Sequence, residues 1–237
     1  MRSTSPNLRF FADAFMGRRL ALGLWAIFIL IIGCSSGAKS SVAVRHYALE
    51  YAAPAFKESG PVSESIRVET LSAVRNFSTT SMVYRSRPYM YNDDAYNRWK
   101  VKPSVMISDI LLRDMKSAGL FSGVFSDGDR ESGDYALGGV IEELYEQEEK
   151  DASRAVLALN MILLNTSRQN AGGRLVFQKS YRAVEVLERN DAESLARAMS
   201  RAMEILSKQI ILDAYTAIRR NGDIGKTAPS PHGLSTR

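Results

Sequence analysis

The chain reads YALGGVIEELY over residues 135–145, AVLALNMILL over 155–164 and LVFQKSYRAVEVL over 175–187. An acidic connection (146–151) separates the first two runs, and a polar connection that contains glycine (167–173) separates the second from the third. Apolar and β-branched runs with such connections predict three long strands in an antiparallel meander. Residues 155–164 also fit helical periodicity, so the pattern alone leaves a helix open there. Gly138 and Gly139 predict a bulge or a close backbone approach in the first strand.

Two further segments have the apolar spacing of amphipathic helices. The first follows residues 92–94, which offer capping side chains, has Pro103 in its first turn and ends at Gly119. The second extends from the capping residue Asp191 to Arg220. Its apolar residues recur every three or four positions and form one stripe, which consists of Leu195, Met199, Met203, Leu206, Ile210, Ala214 and Ala217.

Shorter strands are predicted over residues 42–51, 66–74, 82–85, 89–91 and 120–125, and those over 82–85 and 89–91 pair across a tight turn. The sequence therefore predicts a single α+β domain over residues 42–220, in which an antiparallel or mixed sheet has two helices packed on one face. Residues 221–237 contain prolines and glycines with little to bury, which predicts a disordered tail.

Residues 17–36 (GRRLALGLWAIFILIIGCSS) have the layout of a secretory signal, with a basic flank, an apolar core and small residues after it. A membrane-spanning helix needs about 20 apolar residues, and this run is shorter. Residues 31–34 (IIGC) resemble the bacterial lipobox, in which the cysteine is acylated before the preceding bond is cut. We therefore predict a lipoprotein signal peptide over residues 1–33, lipidation at Cys34 and a lipidated tether over 34–41. The alternative is a buried cysteine in an uncleaved anchor.

The charge of the chain changes with this cleavage. The full chain has a net charge of +5, and residues 1–33 hold four arginines and one aspartate, a net +3, so the mature chain keeps +2. A nucleic-acid-binding protein carries a concentrated basic surface, so this balance removes most of the case for that class. Cys34 is the only cysteine, and its acylation leaves no thiol for a disulfide or a cysteine-ligated metal.

No set of residues predicts catalysis, a metal site or a cofactor. The two histidines, His46 and His232, fall in a strand and in the tail, so a catalytic triad or a metal pair is not expected. The chain has no phosphate-binding loop and no nucleophile elbow. Acidic residues cluster at 93–94, 127–129, 142–143 and 146–149, mostly in predicted turns, where solvated charge explains them.

Residues 84–103 (YRSRPYMYNDDAYNRWKVKP) concentrate aromatic and basic side chains. Aromatic rings beside cations are common anchors of protein interfaces. We therefore predict a subunit or partner interface at or beside this segment. The alternative is that the tryptophan and half of the tyrosines cover the end of the sheet. The candidate interface residues are Tyr84, Arg85, Tyr91, Arg98 and Trp99.

Short motifs behind the lipobox occur in the order of a known family. They are YAL at 47–49, MVYR at 82–85, the segment from Tyr91 through Arg98-Trp99 to Pro103, the segment from Leu112 through Gly119-Leu120-Phe121 to Val124, and DYALGG at 134–139. Together they resemble the ABC-type transport auxiliary lipoproteins, also called the PqiC-like family, over roughly residues 34–220. Lys100 and Lys102 depart from the small or acidic residues expected at those positions, so no charge-based contact is transferred.

The resemblance implies a non-catalytic, periplasm-facing lipoprotein that serves an ABC transporter built on MCE domains. Such systems move phospholipids or other hydrophobic molecules between the inner and outer membranes. The family member docks the MCE-domain periplasmic protein and forms a ring-like homo-oligomer, and Ser35 after the cysteine resembles sorting to the outer membrane. A different reading is a stand-alone envelope lipoprotein that binds a small apolar ligand or a cell-wall component. A third reading, an esterase-like envelope enzyme, ranks last because the sequence has no nucleophile–base pair.

Overall fold

The computed structural model describes residues 43–58, 60–167 and 174–227. These residues form a nine-stranded mixed sheet and two long helices, which confirms the predicted single α+β domain. The elements in chain order are β1 (Arg45–Tyr47), β2 (Ile66–Val68), β3 (Ser72–Ala73), a 3-10 turn (Arg75–Phe77), β4 (Ser81–Arg87), β5 (Met90–Trp99), α1 (Pro103–Ala118), β6 (Val124–Ser126), β7 (Tyr135–Gln147), β8 (Arg154–Asn165), β9 (Leu175–Val186) and α2 (Ala192–Thr227).

The sheet is built on β7. Along one edge β7 pairs with β8 in antiparallel register, and β8 pairs in the same way with β9, so the predicted meander is confirmed. Along its other edge three strands follow one another, all parallel to β7: β2 at its start, β3 in its middle and β4 at its end. β6 then pairs with β2, β5 with β4, and β1 with β5.

β8 is a strand and not a helix, although its residues fit both periods. Residues 155–159 are all buried, so the strand shows no alternation of buried and exposed positions. A strand covered on both faces reads as a continuous apolar run. The close approach predicted from the paired glycines is present at Gly139, where a Cβ would clash with the carbonyl oxygen of Asn160.

The two helices form as their local signals predict. Pro103 lies in the first turn of α1, and Gly119 ends it in the left-handed region at φ 63°. The Ser194 amide donates a hydrogen bond of 2.7 Å to Asp191 Oδ1, which caps the start of α2. The apolar stripe of α2 is buried from Leu195 to Ala214, so this helix packs on the sheet through one face.

Several boundaries differ from the expected ones. β5 continues through residues 93–98, so residues 92–94 do not cap α1; pairing with β4 and β1 overrides their capping tendency. Lys102 is at the N-cap position of α1 and makes no capping hydrogen bond. α2 continues past Arg220 to Thr227, so the first part of the expected tail is helical. β2 and β3 divide the single strand expected over 66–74.

A buried carboxylate joins the two helices to the segment that follows β1. Asp114 of α1 is 0% exposed, and its Oδ2 accepts hydrogen bonds of 2.6 Å from the Tyr51 hydroxyl and 2.6 Å from the Ser207 hydroxyl. Arg113 donates to Oδ1 through Nε at 2.9 Å and Nη2 at 2.7 Å. Burial, together with the adjacent Asp114, raises the pKa of Tyr51 far above its ordinary value. These bonds satisfy a charge that is costly to bury alone.

The expected signal peptide, Cys34, the tether and residues 228–237 of the expected tail lie outside the described residues. Within the described part of the chain, no helix has both the length and the hydropathy that a bilayer crossing requires.

Candidate interaction surface

The segment predicted as an interface forms the β4–β5 hairpin. The two strands pair in antiparallel register, with Arg85 opposite Tyr91 and Arg87 opposite Met90, and Pro88 and Tyr89 make the turn. All residues of 86–91 are exposed, and we call them the hairpin tip. Tyr89 has a left-handed backbone (φ 67°), and its side chain is 100% exposed.

An aromatic cluster supports the base of this tip. The Tyr91 ring meets the rings of Phe77 and Tyr145 edge-on, at centroid distances of 6.2 Å and 5.5 Å, and Phe77 stacks on Tyr145 at 5.9 Å. The guanidinium carbon of Arg85 lies 5.6 Å from the Tyr91 centroid. The Glu148 amide donates to the Arg85 carbonyl oxygen at 3.0 Å, which attaches the hairpin to the end of β7. The structure therefore brings Arg85 and Tyr91 together.

The other three candidate residues lie elsewhere. Tyr84 is half-buried and faces a cleft beside the hairpin. Arg98 lies toward the other end of β5, opposite Ser81 of β4. Trp99 is 1% exposed and belongs to the core, so the expectation that it anchors an exposed interface is corrected to the alternative, in which it packs inside the domain.

The cleft lies between the β4–β5 hairpin, the end of β7 and the start of α2, and its volume is about 490 Å³. Its floor is apolar, because Met82, Val83 and Leu195 are buried beneath it. Its walls carry five carboxylates, and we call it the acidic cleft. The carboxylates are those of Asp93, Asp94, Glu146, Glu148 and Asp191.

The carboxylates of the acidic cleft are in different environments. Burial raises the pKa of Glu146; a hydrogen bond with Ser153 opposes this shift, and the charges of Glu148, Asp191 and Asp94 add to it.

Asp94 Oδ1 accepts hydrogen bonds from the backbone amides of Tyr96 and Asn97 in the same strand, each at 2.8 Å. Burial would raise the pKa of Asp94, but the hydrogen bonds from Asn97 and Tyr96 outweigh burial and lower it. Hydrogen bonds from Arg189 and from Ser194 lower the pKa of Asp191 to about 2.

Two of these carboxylates are unpaired. Asp93 and Glu148 are both exposed, and neither side chain forms a hydrogen bond or an ion pair with any residue that the structure describes. Like charges at this density repel each other in the isolated chain. The acidic cleft is therefore suited to a cationic group that also has apolar surface for the floor.

Sequence reasoning missed both the acidic cleft and the exposed Tyr89. The acidic residues fall in a strand, a hairpin and a helix cap that are far apart in sequence, and the parallel pairing of β4 with β7 brings them together. The tight turn predicted between residues 85 and 89 is present, but Tyr89, which was expected to begin the second strand, lies in the turn itself.

The histidines offer no catalytic arrangement in the described part of the chain. His46 is exposed on β1, and His232 lies outside the described residues. Among the residues 43–58, 60–167 and 174–227, no three His, Cys, Asp or Glu side chains are grouped as metal ligands.

Comparisons with known proteins place the chain in a sequence family. The family model described as "ABC-type transport auxiliary lipoprotein component" matches residues 47–211. The structure is similar to that of protein XCC0632 from Xanthomonas campestris (DUF330 family model), with TM-score 0.68 and 17% identity over 76% of this chain and 99% of that one. It is also similar to an uncharacterized protein, with TM-score 0.57 and 12% identity over 72% and 98% of the two chains. Among curated proteins, none matches this sequence.

Proposed function

The chain belongs to the family of ABC-type transport auxiliary lipoprotein components, and from this premise we propose that it is the non-catalytic, membrane-anchored auxiliary subunit of an ABC/MCE-type transporter. The transporter moves phospholipids or other hydrophobic molecules between the inner and outer membranes. The chain faces the periplasm from the outer membrane, docks the MCE-domain periplasmic protein and forms a homo-oligomer. The family match over residues 47–211 is the observation that carries the proposal.

The lipobox supplies the membrane attachment in this proposal. Acyl chains on Cys34 contribute about 0.8 kcal/mol for each buried methylene, and stable anchoring takes more than one chain or a second membrane signal. The nine residues from Cys34 to Val42 can extend over at most about 30 Å. The domain therefore acts close to the membrane surface, at a height limited by the tether.

The sheet has surfaces that suit docking. β9 pairs with β8 on one side only among the described strands, which leaves main-chain donors and acceptors along its outer edge. Val184 and Val186 of this strand are exposed beside that edge. An open edge with apolar side chains is a place where a second chain can add to a sheet.

The second reading, a stand-alone lipoprotein that binds a small apolar ligand, needs an apolar pocket. The acidic cleft is lined by charged side chains, which disfavours an uncharged ligand. Lipid that remains bound through purification of the protein without its transporter would favour this second reading.

Crosslinking in the intact envelope tests the proposed function. The full chain carries a photo-reactive residue at Val184 or at Tyr89, both of which are exposed, and the crosslinked proteins are identified by mass spectrometry. We expect an MCE-domain protein as the partner, and Cys34→Ser as a control should reduce the yield because it removes the anchor. The absence of any transporter component at both positions would contradict the proposal.

A further inference from the structure

We propose that the hairpin tip of one copy of this chain inserts into the acidic cleft of a second copy, where Arg87 pairs with Asp93 and Glu148 and the Tyr89 ring covers the apolar floor. The proposal rests on the homo-oligomer of the proposed function and names its interface.

The hairpin tip carries large side chains that are exposed to solvent in the isolated chain. Tyr89 is 100% exposed and has a left-handed backbone, which a large L-residue rarely adopts. The neighbouring Met90 is also exposed. Arg87 is exposed, its Nε lies 3.1 Å from Met90 Sδ, and it forms no ion pair with a described carboxylate. A tyrosine and an arginine presented in this way are typical of residues that dominate binding energy.

The acidic cleft offers the complementary surface. Asp93 and Glu148 are unpaired among the described residues, and the raised pKa of Glu146 reflects its burial among like charges. A guanidinium placed between them would relieve this repulsion. Beneath the carboxylates, the apolar floor can receive an aromatic ring, and a cavity of about 490 Å³ is large enough for both side chains.

The hairpin tip cannot fill the cleft of its own chain. Tyr89 and Asp93 lie four residues apart along the same hairpin, which separates them by about 13 Å in an extended strand. Arg85 pairs with Tyr91 and Arg87 with Met90, on either side of a register shift at Ser86, so the hairpin extends past the cleft. The occupant must therefore come from another molecule. A twofold arrangement would form two such contacts, and a head-to-tail arrangement would close a ring.

Charge also favours a second copy over a bilayer as the surface that receives the tip. The turn between β7 and β8 contains Glu148, Glu149, Lys150 and Asp151, a net charge of −2, and the Glu148 amide is bonded to the Arg85 carbonyl at the base of the hairpin. An anionic membrane would repel these carboxylates as it attracted Arg87. In the acidic cleft of another copy, only the positive tip needs to enter.

Charge reversal in the full chain, purified in detergent, tests the contact. Arg87→Glu and Asp93→Arg should each weaken self-association at least tenfold, measured by sedimentation velocity and native mass spectrometry. Combining both changes in one chain, or mixing the two single variants, should restore association, because residue 87 of every tip then meets an opposite charge at position 93. The matched controls are Arg130→Glu and Asp109→Arg, which reverse exposed charges away from the hairpin and should keep the wild-type oligomer.

Circular dichroism establishes that each variant is folded. Tyr89→Ser does not change the charge of the tip, and it should also weaken self-association because it removes the aromatic ring. Single reversals that leave the oligomer unchanged, or a mixture that does not reassemble, would overturn the tip–cleft contact while the oligomer and the transporter role stand. Binding of the wild type to anionic vesicles that is lost in Arg87→Glu, with association unchanged, would assign the tip to the membrane and also overturn the proposal. A wild type that stays monomeric at all concentrations would refute both the contact and the oligomer, but not the docking tested by envelope crosslinking.

Discussion

Replacement of the buried Asp114 tests how the two helices are held to the segment after β1. Asp114→Ala removes the acceptor of two hydroxyl groups, those of Tyr51 and Ser207, each at 2.6 Å. It also removes the acceptor of the Arg113 guanidinium. The side chain of Arg113 is 41% exposed, so water can solvate it after the change. The two hydroxyls lie deeper and lose their partner in a poorly solvated place.

The size of the effect follows from these contacts. A hydrogen bond to a charged group contributes about 1.5–3 kcal/mol, so two such bonds set the scale of the loss. Removal of one member of a buried charged group typically costs about 3–5 kcal/mol, and we expect Asp114→Ala to lower the free energy of unfolding by this amount. Ser207→Ala removes one donor and should cost about 1.5–3 kcal/mol.

Asp213 provides a matched control at the surface. It accepts hydrogen bonds from the Tyr181 hydroxyl at 2.8 Å and from Lys179 Nζ at 2.6 Å, but its side chain is 37% exposed. Tyr181 is buried, but water can reach the exposed carboxylate position and replace it as the partner of both donors. Asp213→Ala should therefore cost about 1 kcal/mol, less than Asp114→Ala. Urea unfolding followed by circular dichroism measures all three variants. A cost for Asp114→Ala that equals that of Asp213→Ala would refute the reasoning that burial gives this carboxylate its importance.

Three further outcomes are expected. Asp191 has a pKa lowered to about 2 from 3.8, so its stabilising contribution is complete above the higher value and is lost as the pH falls through the lower one. The thermal midpoint of Asp191→Ala should therefore lie below that of the wild type at neutral pH and approach it near pH 2; a constant difference would contradict this. Gly139→Ala forces a Cβ against the carbonyl oxygen of Asn160 and should destabilise the domain by about 1–3 kcal/mol in urea unfolding. Gly128→Ala, where the nearest atom is 3.9 Å away, should stay within about 0.5 kcal/mol, and equal costs would count against the close approach. Cys34→Ser should remove the acyl mass from the mature protein and release it from the membrane fraction, and mass spectrometry that finds the same product for both proteins would show that the residue is not lipidated.

The parts of the fold that the sequence predicts are those with a local cause. The stripe of α2 repeats every three or four residues and depends on nothing outside the helix except an apolar surface to cover it. Gly119 ends α1 because glycine adopts the left-handed backbone conformation without a steric cost. This cause lies in a single residue, so the sequence alone reveals it. The meander of β7, β8 and β9 joins neighbours in sequence by short turns, so sequential order and spatial order agree.

The parts that the sequence does not predict have distant causes. β2, β3 and β4 pair with successive parts of one edge of β7. This arrangement depends on where the loops between these strands return the chain to the sheet. Residues 92–94 have good capping side chains, yet pairing along β5 places them in a strand. The acidic cleft forms because β4 pairs with both β5 and β7, which brings Asp93 and Glu148 into the lining of one cleft although the two lie far apart in sequence.

Trp99 and Tyr89 show why the interface was the least predictable feature. They lie ten residues apart in the same hairpin, and their aromatic rings are equal candidates for an anchor when only composition is known. Trp99 is enclosed because β1 and β4 flank its end of β5 and bury it with the core, whereas Tyr89 lies in the turn beyond any pairing strand. Burial of an aromatic residue is thus decided by the strands beside it and not by its own type. The contacts of an exposed tip depend in turn on the charges of the surface it meets. For this chain those charges are the unpaired carboxylates of the acidic cleft, so exchanging charge between the hairpin tip and the cleft tests the interface more directly than any substitution at Trp99.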